Sequence, residues 1–128
     1  MTYQLKLLNW PDTGNHLIAI SRGSMNQSDF RDLFAQIVDV TQPIENCKVL
    51  IDLEETSFAI GAAEFPMLVD ELKAELRPEK IKIAMVAGAA EREYDQLVVL
   101  STYLSTLGLK VSVFFATNAA ISWLAEPN

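Results

Sequence analysis

The side chains best suited to chemistry in this sequence are one histidine, one cysteine and a scatter of carboxylates. His16 follows a turn and opens a strand. No serine or cysteine lies near it in sequence to make a nucleophile–base pair, and one histidine cannot build a metal site from imidazoles. It reads as an exposed strand residue. Cys47 precedes a buried strand, with no second cysteine nearby and only Lys48 as a basic neighbour, so it reads as inert packing. Among Asp52, Glu54, Glu55, Glu64, Asp70, Glu71, Glu91 and Glu93, most fit solvated faces or the positive starts of helices. Asp52 differs, because it interrupts an apolar strand near its C-terminal end. Ligands of open α/β sheets bind outside that end. An aspartate bonded to its own loop backbone and a catalytic one, working with Glu55 or Arg22, are the two readings of it. No glycine-rich phosphate cradle is present, since Gly61 and Gly88 stand alone. No catalytic residue, metal ligand or cofactor is assigned, and the chain is not expected to be an enzyme.

The elements that position these residues are short and regularly spaced. Tyr3–Asn9 and His16–Ser21 read as strands joined through the turn Pro11–Asn15, hence an antiparallel hairpin. Gly23 is expected to end the second strand. Asn26 or Ser28 caps a helix in which Phe30, Leu33, Phe34, Ile37 and Val38 form one apolar stripe, stopped by Gln42-Pro43. Val49–Leu53 is a strand, and Glu54–Ala63 is expected to be a loop. Pro66 suits a first helical turn, and Met67, Leu68, Leu72 and Leu76 give its stripe, closed by Arg77-Pro78. Ile81–Val86 is a strand ended by Gly88. A helix then runs to Leu107, with Gly108 just past its end. Val111–Phe115 is the last strand, and Thr117 or Asn118 caps the final helix, Ala119–Ala125. The order β-β-α-β-α-β-α-β-α predicts an α/β fold: a mostly parallel five-stranded sheet with right-handed crossovers and an antiparallel N-terminal hairpin strand, in a single domain over residues 1–128.

One sheet face is uniformly apolar: Val49, Ile51 and Leu53; Ile81, Ile83 and Met85; Val111, Val113 and Phe115. The other is mixed, with Lys48, Lys82 and Lys110 at the strand starts. Those lysines read either as solvated strand entrances or as part of a half-open face that meets a partner. The segment Ser57-Phe58-Ala59-Ile60-Gly61-Ala62-Ala63 is oily for a connection, so it reads as a buried turn or an exposed docking patch. The helix carrying Tyr94, Leu97, Val98, Val99, Leu100, Tyr103, Leu104 and Leu107 is apolar over more than the ~100° that one core contact needs. Tyr94, Val98, Val99 and Tyr103 are its candidate dimer or pocket residues.

Charge and composition narrow the partners. The net charge is −7 and the pI about 4.6, which disfavours phosphate backbones and anionic membrane surfaces. No stretch approaches the ~20 apolar residues that span a bilayer. The N-terminus lacks a signal-peptide pattern, and a lone cysteine fits a reducing compartment, read as cytoplasm, with a bacterial periplasm as the alternative. Half the residues are hydrophobic and the mean hydropathy is +0.17. Either the core is very well filled or apolar surface is buried in a second chain, such as a homodimer partner.

The element order, with Lys48–Leu53, Lys80–Val86 and Val113–Leu124, resembles the SpoIIAA-like or STAS family. The ending Val113-Phe114-Phe115 then Ala120-Ile121-Ser122-Trp123-Leu124 is similar to a bacterial subgroup also compared with CRAL-TRIO lipid-binding proteins. The resemblance implies a sequential βα fold with an added N-terminal strand, and a protein-interaction module. In anti-sigma-factor antagonists an Asp-Ser-Ser-Gly-like motif follows the third strand, and a kinase phosphorylates a serine there, adding close to two negative charges that block docking. Matching Val49–Leu53 to that strand sets Ile60-Gly61-Ala62-Ala63 at the motif, without serine or aspartate. Thr56 and Ser57 lie three or more residues early, and only a three-residue gap brings Ser57 into place. The resemblance therefore implies a module without the phospho-switch. A small-molecule or lipid-binding domain with an apolar pocket is the alternative.

Overall fold

The computed structural model describes residues 4–9, 16–41, 47–58, 60–74, 81–88 and 91–126. The turn Pro11–Asn15, the helix stops Gln42-Pro43 and Arg77-Pro78, and Ala59, Leu76, Ala89 and Ala90 lie outside them. Among the described residues a five-stranded sheet runs in simple sequence order. Its strands are β1 (Gln4–Asn9), β2 (His16–Met25), β3 (Cys47–Phe58), β4 (Ile81–Ala87) and β5 (Lys110–Phe114). The helices are α1 (Gln27–Thr41), α2 (Phe65–Leu72), α3 (Glu91–Ser105) and α4 (Thr117–Ala125), with a single 3₁₀ turn, Ala62–Glu64, before α2. β1 pairs antiparallel with β2, and the β2–β3, β3–β4 and β4–β5 pairs are parallel. Successive right-handed crossovers in one direction put α1, α2 and α3 on the same face.

That face holds the main core. Leu17 and Ala19 of β2, Val49, Ile51 and Leu53 of β3, and Ile83 and Met85 of β4 meet Phe30, Leu33, Phe34 and Ile37 of α1, Leu68 of α2 and Leu97, Leu100 and Leu104 of α3. Each fully buried side chain of this size contributes about 1.5–3 kcal/mol relative to exposure. Phe30 stacks on Phe34 at 4.9 Å and reaches Phe58 at 6.4 Å between centroids. The other face carries a smaller cluster, Leu50, Ala84 and Val86 under Ala120 and Leu124 of α4. β4 is buried along its whole length, as a central strand covered on both faces should be.

Local chemistry sets the element ends. α1 starts with a reciprocal cap: the Asp29 N–H donates to Asn26 Oδ1 (2.8 Å) and the Asn26 N–H donates to Asp29 Oδ2 (3.0 Å). Beyond α3, Gly108 takes φ 90°, the left-handed region open to glycine. Several expectations need correction. β2 does not stop at Gly23: the chain passes through it at φ 101° and pairs with β3 as far as Met25. Glu54–Phe58 is not loop but the end of β3. Past Leu53↔Ala87 that strand has left β4 and pairs only with β2, so charged and hydroxyl side chains are tolerated on its open sides. The α2 stripe is Phe65, Leu68, Val69 and Leu72, which turns Met67 out to solvent. α4 has Ala116 at its N-cap with no side-chain cap; the Asn118 carboxamide instead accepts the adjacent Ala119 N–H (3.0 Å).

Candidate interaction site

The C-terminal ends of the parallel strands gather Arg22, Asp52, Glu54 and Glu55. Between Ile20↔Asp52 and Arg22↔Glu55 the register slips by one residue on β3, a bulge. Asp52 Oδ1 accepts the Glu54 N–H at 3.0 Å and holds that bulge. Its carboxylate is thus engaged by its own backbone. Arg22 Nε pairs with Glu55 Oε2 at 2.7 Å, both side chains about two-thirds exposed, so water screens the pair and it contributes about 0–1 kcal/mol. Among the described residues no three His, Cys, Asp or Glu side chains come together as a metal site.

The oily segment divides between core and surface. Thr56 is buried and its Oγ1 donates to the Ser21 carbonyl at 2.8 Å. Ser57 faces solvent on the opposite side of β3. Phe58 and Ile60 are 5% and 2% exposed, packed into the main core and so unable to present a docking patch. Gln96 Nε2 of α3 donates to the Ile60 carbonyl at 2.8 Å and pins the segment. Gly61 is exposed, and Ala62 opens the 3₁₀ turn. The mouth of α2 is closed by its own acid: Glu64 Oε2 accepts the Gly61 N–H at 2.9 Å, and the Glu64 N–H donates to the Gly61 carbonyl at 2.9 Å. Beside the exposed Glu64, the outside of this mouth carries a ledge of Gly61, Ala63, Pro66 and Met67, the last 62% exposed.

The apolar surplus of α3 is largely absorbed within the chain. Tyr94, Val99 and Tyr103 are half-buried against the main core, because α3 lies over β5 and β4 and alongside α2. Val98 alone of the four candidates points outward, at 38% exposure. Phe115, 60% exposed just beyond β5, stacks on Tyr94 at 4.1 Å between centroids.

On the α4 face, Lys48, Lys82 and Lys110 occupy one register row across the strand starts, and the row continues in the backbone pairing of Lys48 with His16. Lys82 is no solvated entrance: it is 3% exposed, and its Nζ donates to the carbonyls of Trp123 (2.8 Å) and Glu126 (3.0 Å), 4.4 Å from the Trp123 ring centroid. It thereby caps the C-terminal end of α4. Desolvation, with further repulsion from Lys48 and Lys110, holds its pKa below the ordinary lysine value, while Glu126 acts the other way. Cys47 is buried and desolvation raises its thiol pKa. Sequence reasoning named Glu64, Met67 and Phe115 but misplaced them: Glu64 was read only as a solvated or helix-start acid, and Met67 and Phe115 as core-facing. The Gly61–Glu64 spacing carried a capping signal, and the Phe65/Leu68/Val69/Leu72 periodicity would have placed Met67 outside.

The sheet order, one helical layer of three and a lone helix behind define the SpoIIAA-like fold. An anti-sigma factor antagonist from Mycobacterium paratuberculosis is similar to this chain with a TM-score of 0.64 and 12% identity, over 98% of this chain and 96% of that one. An uncharacterized DUF3478-family protein with a SpoIIAA-like fold from Shewanella loihica PV-4 is similar with a TM-score of 0.58 and 15% identity, over 96% and 94%. No protein-family model matches the sequence, and none of the curated proteins does. Among the described residues no helix is long and apolar enough to cross a membrane.

Proposed function

We propose that this chain is a non-enzymatic protein-interaction and regulatory module that self-associates and whose docking surface is set permanently rather than switched by phosphorylation. The observation that carries this reading is the mouth of α2. Gly61, Ala62 and Ala63 bring no hydroxyl there, and the Glu64 carboxylate occupies the Gly61 N–H. The similarity to an anti-sigma factor antagonist supports a protein partner. The ledge of Ala63, Pro66 and Met67 is the surface offered to it: apolar, exposed and mounted on a short, well-packed helix. Thr56 cannot stand in for a switch residue, because its hydroxyl is buried and committed to Ser21. Ser57 is exposed but sits within β3, paired in register with Ser24 of β2, and not at the mouth of α2.

The test is incubation of the purified protein with labelled ATP in an extract of its own cells. No incorporation is the expected result. Incorporation that disappears in Ser57→Ala restores a switch and overturns the reading.

A further inference from the structure

We infer that β5 is the edge through which two copies of this chain pair, antiparallel about a two-fold axis at Ser112, into one continuous ten-stranded sheet. This rests on the self-association in the proposed function and names its surface.

The first observation is charge. The chain has 17 acidic residues, yet the thirty residues 96–125 contain none, and Lys110 is their only charged side chain. That stretch supplies most of α3, all of β5 and all of α4. Two bodies of net charge −7 repel each other, and the approach that costs least is along the elements built mostly from that acid-free stretch.

The second observation is the open edge. Among the described residues β5 pairs with β4 on one side and with no strand on the other. An edge strand presents a row of unpaired N–H and C=O groups and templates another strand unless something blunts it. α4 packs over β4 more than over β3 or β5, and no described strand pairs with the outer side of β5.

The third is self-complementarity. Antiparallel pairing centred on Ser112 sets Val111 of each copy opposite Val113 of the other, on the α3 face where both are half-buried. On the α4 face it sets the exposed Lys110 opposite Phe114, whose ring lies 5.7 Å from Trp123. A cation thus meets an aromatic pair twice, once on each side of the axis. It also sets exposed Phe115 at Leu109 of the second copy. A two-fold interface must satisfy itself in this way. An acidic or basic strand from another protein finds only Lys110 to answer its charges.

The experiment is Ser112→Cys. Across the axis two such residues fall within the Cα separation of about 4.5–5.5 Å that a disulfide spans. Cys47 is buried and does not compete. Mild oxidation is expected to link Ser112→Cys into a covalent dimer and to leave Ser57→Cys unlinked. Light scattering is expected to give a dimer for the wild type, and at least tenfold weaker dimerisation for Ser112→Lys with an unchanged circular dichroism spectrum. A wild-type monomer at high micromolar concentration overturns self-association and this inference with it. A dimer that survives Ser112→Lys, or in which Ser112→Cys links no better than Ser57→Cys, overturns the β5 edge and leaves self-association standing.

Discussion

Gly88→Ala and Gly61→Ala are expected to shift stability in opposite directions. Neither glycine has a positive φ, so alanine is not strained by backbone conformation at either position. Both substitutions remove freedom from the unfolded chain, which stabilises by about 0.4–1 kcal/mol. The difference lies in the space around the new methyl. At Gly61 the nearest atom is Glu64 Oε2, 4.0 Å away, and the Gly61 N–H keeps its bond. At Gly88 the methyl carbon falls 2.6 Å from the Glu54 carbonyl oxygen, well inside the 3.4 Å at which ordinary contact begins. That oxygen belongs to backbone, held between the pairs Leu53↔Ala87 and Arg22↔Glu55. Relief requires parting β3 from the start of the β4–α3 connection, and overpacking of this kind costs about 1–3 kcal/mol. For a domain of this size 1 kcal/mol moves Tm by about 4 °C. Thermal unfolding should therefore show Gly61→Ala raised by about 2–4 °C and Gly88→Ala, after the entropy gain is set against the clash, lowered by about 5 °C. A Gly88→Ala variant as stable as the wild type would refute the close packing of β3 against that connection.

Lys82 predicts an unusual pH dependence. Its pKa is lowered in the folded chain, so between that value and the ordinary 10.5 the unfolded chain binds more protons and stability rises with pH. Wild type should gain on Lys82→Met in urea unfolding as pH climbs from neutral toward 10.5, and the gain should level off above it. Asn26→Ala removes one arm of the α1 cap and should cost about 1 kcal/mol in the same assay. Cys47 should react with a thiol reagent only as fast as the protein unfolds, and denaturant should raise both rates in parallel. Arg22→Ala should change stability by less than about 1 kcal/mol, the limit for a screened pair.

How far the sequence spoke for the structure varied with the length of interaction involved. The α1 stripe and the apolar face of β4, Ile81, Ile83 and Met85, are local patterns, and both were readable from spacing alone. The end of β3 was misread because Glu54-Glu55-Thr56-Ser57 is polar. Yet its alternation, with Thr56 and Phe58 inward and Glu55 and Ser57 outward, is the period-two signal of a strand paired on one side. Met67 was assigned to the core by starting the α2 stripe two residues late. The burial of Lys82 was not legible, because its carbonyl partners lie 41 and 44 residues away and meet it only once α4 folds back over β4. The apolar surplus of α3 was visible, but its destination was not: contacts with β5, β4 and α2 inside the chain take up what one helix face could not.

Native mass spectrometry of the protein isolated from its own cells tests the account most directly, because one spectrum reads assembly and modification together. The prediction is a species of twice the chain mass with no phosphoryl group on either copy. A monomer bearing a phosphoryl ester at Ser57 would contradict it.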